Sequence, residues 1–308
     1  QLALNYSSSG AESWCGYGWS IPVQSISVDT RWGVPTFDAN LQSEVYLLDG
    51  EQLHEEEGKK ANRPEVSGST VTYPTRNSGA RQFFPKQQSS YRKVVRYGTG
   101  TNNYYWVVTE ADGTSNYYGC VDATSLNSNG VLTTSNGDIT RWYLKKTEDR
   151  FGNNIVYTYE TVVHPAGTGL KEAGKTMFLK KIQYTGKGSS VGKYSIEFIS
   201  VAGRMDARIS LNSGVKEVDD RKLDRIEVAY DGQLVKEFRL TYGTGNFNKA
   251  VLTNIGEYHN AQKFYEHSFT YKNVGTGVFE STPQKIKFSS IPSDPSMFAD
   301  MPFYSLIN

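Results

Sequence analysis

The sequence predicts an all-β fold, a hairpin-rich antiparallel sheet, and three observations predict it. Apolar side chains recur at every second position through most of the chain, the period that places them on one face of a strand. Asp-Gly and Asn-Gly pairs, which tolerate the positive φ of tight hairpin turns, separate these runs. Composition agrees. The 308 residues include 21 Tyr, 14 Phe and 5 Trp beside 29 Gly and 4 Met, and aromatic and β-branched side chains favour half-buried pleated surfaces.

The chain opens inside a pattern, with Leu2, Leu4 and Tyr6 alternating, so it is expected to be the mature or excised part of something longer. Alternation then runs through Val45/Leu47, Val71/Tyr73, Tyr91/Lys93/Val95/Tyr97, Tyr105/Val107, Trp142/Leu144, Tyr194/Ile196/Phe198, Leu234 to Tyr242 and Tyr265 to Tyr271. Turn signals lie between these runs at Asp49-Gly50, Asp112-Gly113, Asn129-Gly130, Asn136-Gly137 and Asp231-Gly232. The spacing predicts roughly fifteen to twenty strands. Helical periodicity is nearly absent, and its best candidate is a short turn around Gly50–Gly58. Glu55–Pro64, Leu126–Gly137 and His164–Lys175 read as loops. Ser289–Pro302 holds three prolines and no alternation. It reads as an extended linker or lid, which divides the chain into a β domain over 1–288 and a linker, or the approach to a following module, over 289–308.

Two local signals stand out. In the first, Asp149–Glu160 makes a hairpin arm whose Gly152-Asn153 turn feeds a strand with Ile155, Tyr157 and Tyr159 on one face. Residues 223–242 and 252–271 repeat the logic and align with each other without a gap. Leu223 matches Leu252, Ile226 matches Ile255, Gln233 matches Gln262, and Thr241-Tyr242 matches Thr270-Tyr271. The second signal is Gly16-Tyr17-Gly18-Trp19, where two glycines flank an aromatic and permit a tight bend that sets Trp19 into a core. A phosphate cradle would need a helix after the glycines, and strands follow instead.

Charge narrows the function classes. With 33 basic and 32 acidic side chains well mixed, net +1, no field steers a nucleic acid or an anionic membrane. No run approaches the ~18 apolar residues of a membrane helix. Cys15 and Cys120 are open to two readings, a disulfide across a long loop or two separately buried thiols, and no cysteine cluster suggests metal. His259 and His267 fall in one predicted hairpin, with Glu257 or Glu266 as the third-ligand candidates, and read more simply as surface histidines. No Gly-x-Ser-x-Gly elbow occurs. Asp219-Asp220 sits beside Arg221-Lys222, and sequence neighbours on a strand point apart. No residue is nominated as catalytic, cofactor-binding or metal-binding. Tyr104-Tyr105-Trp106 and Tyr117-Tyr118 put aromatics on both faces of a strand, which leaves open an exposed set able to stack on sugars or anchor a protein.

The opening LxLxYSSxxG, the GxGWSI at 16–21, Ile26 with Asp29 and Arg31, then Gly33–Asp38 (GVPTFD) and Tyr46–Leu53 (YLLDGEQL) resemble the domain family named after the Salmonella virulence protein SpvB. That domain also opens the B component of Tc toxin complexes. Arg141–Glu160 (RWYLKKTEDRFGNNIVYTYE) matches the same family, whose members resemble the tyrosine-aspartate (YD) repeats of Rhs proteins. The likeness runs from Leu2 to about Phe288, and Cys15 departs from it where a small or aliphatic residue is expected. It implies a β-rich shell that encloses, carries or docks another polypeptide in a secreted or surface-displayed bacterial protein. The partner is then protein, and the alternative is a carbohydrate- or protein-binding adhesin module. SpvB-type ADP-ribosyltransferase chemistry resides in a separate domain with a Ser-Thr-Ser strand before a Glu-x-Glu loop. Glu55-Glu56-Glu57 has no such strand before it and reads as a solvated charged loop. The residues expected to matter are structural: Gly16, Gly18, Trp19, Gly152, Asn153, Ile155, Tyr157, Tyr159, Tyr242 and Tyr271.

Overall fold

Short strands come first and long ones last. The computed structural model describes residues 3–55, 65–87, 91–165 and 174–271. The first part of the chain forms β1 (Asn5–Tyr6), β2 (Trp19–Ser20), β3 (Ser25–Val28), β4 (Tyr46–Leu48), β5 (Glu51–Glu55), β6 (Glu65–Ser67), β7 (Thr70–Thr72), β8 (Arg81–Pro85), β9 (Arg92–Tyr97), β10 (Tyr105–Glu110), β11 (Ser115–Tyr118) and β12 (Val131–Thr133). Longer strands follow: β13 (Ile139–Glu148), β14 (Asn153–His164), β15 (Gly174–Lys187), β16 (Tyr194–Ala202), β19 (Arg221–Tyr230), β20 (Gln233–Thr244), β21 (Ala250–His259) and β22 (Gln262–Ser268). A small flap, β17 (Arg208–Ser210) with β18 (Glu217–Asp219), interrupts them. Among the described residues, helix is confined to two 3-10 turns, Ser128–Gly130 and Asn246–Asn248.

One antiparallel sheet takes in sixteen of these strands. Its order β11-β10-β9-β8-β5-β4-β3-β13 returns on itself, because β13 also pairs with β11. Eight strands therefore close into a barrel, which removes their edges. From β13 the sheet continues as an open meander, β14-β15-β16-β19-β20-β21-β22. β13 can serve both because it is long. On one edge, Arg141–Tyr143 pairs with β3 and Lys146–Glu148 pairs with β14. On the other edge it meets β12 and then β11. The β11 register jumps from Tyr117↔Lys146 to Tyr118↔Leu144, so Lys145 is the extra residue of a bulge where β13 changes partners.

Each region has its own core. Ile26, Tyr46, Phe83, Trp106 and Trp142 fill the barrel. Phe178, Leu179, Phe198, Leu223, Leu240 and Leu252 of the meander pack under the N-terminal segment, through Trp14, Cys15, Trp19 and Ile21.

The turn chemistry follows the sequence closely at two hairpins. Asp49-Gly50 and Asp231-Gly232 both have positive φ at each residue, the two-residue turn matched to strand twist. Asn260-Ala261, which the gapless alignment sets against Asp231-Gly232, turns in the same way, with φ of 46° and 65°.

Several expectations are corrected. Gly50–Gly58 is not helical where described, since Glu51–Glu55 is β5 and pairs with β4 and β8. The loop predicted at Leu126–Gly137 contains β12, which is held by β13. The alternation Tyr91/Lys93/Val95/Tyr97 marks the outer face, and it is Val94 and Arg96 that point into the barrel core. In β10 the core side is likewise Trp106 and Val108 rather than Val107. Residues 56–64, most of the predicted loop at His164–Lys175, and the proposed boundary at 288/289 with its linker lie outside the described residues.

Candidate functional site

The two strongest sequence signals converge on one place. Tyr17 N–H donates to the Ala250 carbonyl (2.7 Å) and Leu223 N–H donates to the Trp14 carbonyl (2.7 Å). These bonds lay the glycine corner on the repeat hairpins. Gly16 (φ 97°) faces Ala250, Tyr242 and Leu252 so closely that a Cβ would lie 3.1–3.3 Å from their atoms. Gly18 (φ 79°) leaves a Cβ only 2.8 Å from the Ser7 carbonyl and the Tyr6 ring. Both glycines are therefore required by backbone angle and by proximity. Trp19 is buried, packs at a tilt against Phe269 (4.8 Å between ring centroids) and Tyr6 (5.1 Å), and its Nε1–H donates to the Tyr271 hydroxyl (2.8 Å).

The repeats share a tyrosine clamp. Tyr159 donates its hydroxyl to the Leu144 carbonyl (2.7 Å), Tyr242 to the Leu223 carbonyl (2.8 Å) and Tyr271 to the Leu252 carbonyl (2.5 Å). In each case a tyrosine reaches back to a leucine on the preceding strand or at the start of its own unit. Tyr242 and Tyr271 span the same 19 residues, which is why the two segments align without a gap. Burial raises the pKa of all three phenols, so they stay protonated donors. Ile155 and Tyr157 are half-buried against the same core, and Tyr157 also touches the barrel core. The turn before them is held by Asp149, whose carboxylate accepts from the Phe151 N–H, the Asn153 N–H and the Asn153 side-chain amide. The Asn153 amide is the main cause that lowers the Asp149 pKa, with the backbone bonds helping. Gly152 (φ 81°) supplies the left-handed residue.

The charged side chains beneath the N-terminal segment are paired with one another. Arg204 joins Asp206 (2.9 Å) and Asp219 (3.4 Å) beneath the N-terminal segment, and Asp206 also accepts from the Ala250 N–H. Burial raises the pKa of Asp219, with Arg204 opposing the shift. A cavity of about 290 Å³ beside it is lined by Arg141, Arg208, Glu217 and Asp219. Its Glu217 is taken up by Arg141 (3.0 Å) and Ser213 (2.7 Å). Asp220 faces His164 at 3.5 Å. Among the described residues no serine, threonine or cysteine hydrogen-bonds a histidine, and no group of His, Cys, Asp or Glu could hold a metal ion. In β21–β22, His259 lies opposite Gln262 and His267 opposite Ile255, so the hairpin does not bring the two histidines together. Cys15 and Cys120 are free and buried. Burial pushes each thiol up to about 12, which leaves them unreactive. Glu56 and Glu57 lie outside the described residues.

The aromatic set offered as a possible binding face is covered except at Tyr117, which is half-buried: Tyr104 and Trp106 are 0% exposed, Tyr105 8% and Tyr118 1%. Trp106 is therefore core, not a ligand platform. Sequence reasoning also missed a polar network in the barrel. Arg96 is fully buried, with its guanidinium 4.0 Å from the Tyr104 ring centroid and bonded to the Tyr46 hydroxyl (3.1 Å). Nearby, Arg76 clamps the buried Glu44 through both guanidinium ends (2.8 and 2.9 Å). The one available signal was an arginine in register with Val94 on β9.

The SpvB family model, described as Salmonella virulence plasmid 65kDa B protein, matches residues 1–202. The chain belongs to the SpvB family. Among solved structures, the N-terminal domain of the effector SpvB from Salmonella typhimurium strain LT2 has a TM-score of 0.67 at 19% identity, covering 84% of this chain and 93% of that one. The TcdB2-TccC3 structure has a TM-score of 0.65 at 15% identity, covering 83% of this chain but 14% of that one. The Photorhabdus luminescens Tc holotoxin pore has a TM-score of 0.64, also at 15% identity, with the same coverage. At these identities the likeness is one of fold: the SpvB-family chain shares the architecture of a small part of the Tc structures. No curated protein sequence matches it.

Proposed function

We propose that this SpvB-family chain is a non-enzymatic wall of a larger secreted bacterial assembly of the Tc-toxin and Rhs kind, helping to enclose, carry or dock another polypeptide. The observation that carries the reading is the sheet itself, an eight-strand barrel running without a break into a seven-strand meander. Such a surface is suited to be continued rather than to hold a small reactant. Among the described residues the meander ends at β22, all seven of whose residues are exposed, so its outer edge is the candidate place for strand addition. The fold shared with a 14% share of the TcdB2-TccC3 chain supports the same reading. No helix among the described residues is long and apolar enough to cross a membrane.

Two measurements test this. The purified chain is expected to show no turnover of NAD or of glycans, and enzymatic-rate hydrolysis of either would overturn the reading. Glu266→Pro removes one outward-facing backbone donor from β22, because the Phe269 N–H bonds inward to the Thr253 carbonyl and antiparallel ladder bonds alternate along the strand. It is expected to leave the melting profile of the chain nearly unchanged and to reduce its assembly with the polypeptide it accompanies. Unchanged assembly would remove β22 from the proposed junction.

A further inference from the structure

Four of the five tryptophans are buried, at 9% exposed or less, whereas Trp32 is 86% exposed. Its loop is nevertheless fixed from both ends. Thr30 donates its hydroxyl to the Asn212 carbonyl and its carbonyl accepts the Gly33 N–H (3.0 Å). Val34 packs against Gly214, whose Cβ position lies 2.8 Å from it, and Phe37 rests on the barrel core. A pinned loop that holds its indole in solvent is unusual on physical grounds, since apolar area of that size is normally worth burying.

Trp32 borders a cleft of about 410 Å³, whose walls include Val34, Pro35, Val45, Val66 and Tyr73. Val34 and Val66 are themselves 52% and 68% exposed. Gln52 lines this cleft and also the adjoining one of about 510 Å³, which holds Arg31, Glu51 and Lys86. The two clefts therefore meet at Gln52. Charge is unevenly committed in the second cleft. Glu51 accepts the Gln87 N–H (2.7 Å), and Arg31 lies bidentate on Asp29 (2.9 and 2.7 Å). Lys86 uses its backbone N–H on the Gln52 carbonyl, and its ammonium has no partner among the described residues.

We propose that this double cleft on the barrel binds an extended peptide segment, seating one bulky apolar side chain between Trp32, Val34 and Val66 and an acidic side chain of the same segment at Lys86. The aliphatic walls favour a hydrocarbon side chain over a sugar, since of the polar side chains in the same lining Asp29 is taken up by Arg31 and Ser43 by Thr36 and Glu44. The free ammonium beside Gln52 complements a carboxylate. The site is separate from the β22 edge, so it stands or falls independently of the shell reading.

The test uses the whole chain labelled with ¹⁵N-tryptophan, with the Trp32 indole signal assigned by comparison with Trp32→Phe. The probes are acetylated, amidated glycine-rich hexapeptides carrying one phenylalanine and one aspartate, set one, two or three residues apart. At least one spacing is expected to shift the Trp32 signal saturably. Read by isothermal titration calorimetry, since it lacks the reporter indole, Trp32→Ala should weaken that binding about tenfold or more, as loss of a pocket anchor does, and Lys86→Glu about two- to fivefold. Replacing the peptide aspartate by asparagine should cost as much as Lys86→Glu. Unchanged melting temperatures of both variants separate lost binding from lost folding. The proposal is overturned if no peptide shifts the signal at millimolar concentration, if Trp32→Ala binds as well as the parent, or if cellobiose or chitobiose moves the signal and the peptides do not.

Discussion

The barrel and the meander are built from the same chemistry and end in opposite conditions. Barrel strands are short, three to six residues apart from β13 itself, and close on one another through β11 and β13, so the aromatic side chains of their inner face vanish from solvent. Meander strands run from seven to fourteen residues and are covered on one face only where Trp14, Cys15, Trp19 and Ile21 lie across them. Burial fades outward along the meander, from Leu223 and Leu252 at 0% exposed to Phe264 at 81%. The lesson is that hairpins of tyrosine and β-branched residues do not by themselves fix closure. What decides it is whether a strand finds a second partner, and the Lys146–Glu148 end of β13 takes β11 on one edge and β14 on the other.

Breaking the closed side should cost most. Trp142→Ala empties a site that is 1% exposed and contacts Tyr46 and Trp106, and it is expected to lower stability by about 3–5 kcal/mol in urea unfolding. A loss below about 1 kcal/mol would mean that the barrel does not pack as described. Gly18→Val, at φ 79° and with a Cβ 2.8 Å from the Ser7 carbonyl, should cost about 1–3 kcal/mol. Amide exchange should then quicken in β20 and β21 before it does in β9 and β10.

The tyrosine clamps compare the units with each other. Tyr159→Phe, Tyr242→Phe and Tyr271→Phe each remove one hydroxyl-to-carbonyl bond, for about 0.5–1.5 kcal/mol apiece. Tyr159, the most buried, should lie at the upper end. No cost at two or more of the three would sink the clamp as a shared device. Ala261→Gly runs the other way. The residue sits at φ 65°, where its aligned partner is Gly232, so the change should add about 0.5–1 kcal/mol and raise the melting temperature.

The seam has a pH signature. Lys145 is the bulge residue of β13, 5% exposed and packed over the Tyr159 ring, and burial holds its pKa below the ordinary lysine value. In the unfolded chain that pKa is normal, so the folded state pays the full desolvation penalty at pH below the lowered value. Stability contributed at this site then rises as pH climbs from the folded pKa toward the unfolded one. Melting temperatures of the parent and Lys145→Met, followed from pH 7 to about 10, should differ most at the low end and converge upward. A constant difference would remove the lysine as the cause.

Much of the meander was legible because its signals are local. A two-residue period, a turn dipeptide and a 29-residue recurrence from Leu223 to Leu252 all lie within one or two hairpins. The strands of the barrel were legible as strands, but β9 was read from its outer face, since Lys93 and Tyr97 alternate as cleanly as Val94 and Arg96 do. The clefts around Trp32 were not legible, because they gather residues from Asp29 to Tyr73 that share no period.

By itself the sequence determined the all-β class, the hairpin turns and the family, because φ preferences and side-chain alternation act between near neighbours. The glycine corner was visible as a bend, and the repeats as hairpins. Only the tertiary structure laid one on the other, through Tyr17 to Ala250 and Trp19 to Tyr271, across more than two hundred residues of chain. It alone closed the barrel, since the pairing of β11 with β13 depends on register and twist summed over eight strands, which no local pattern encodes.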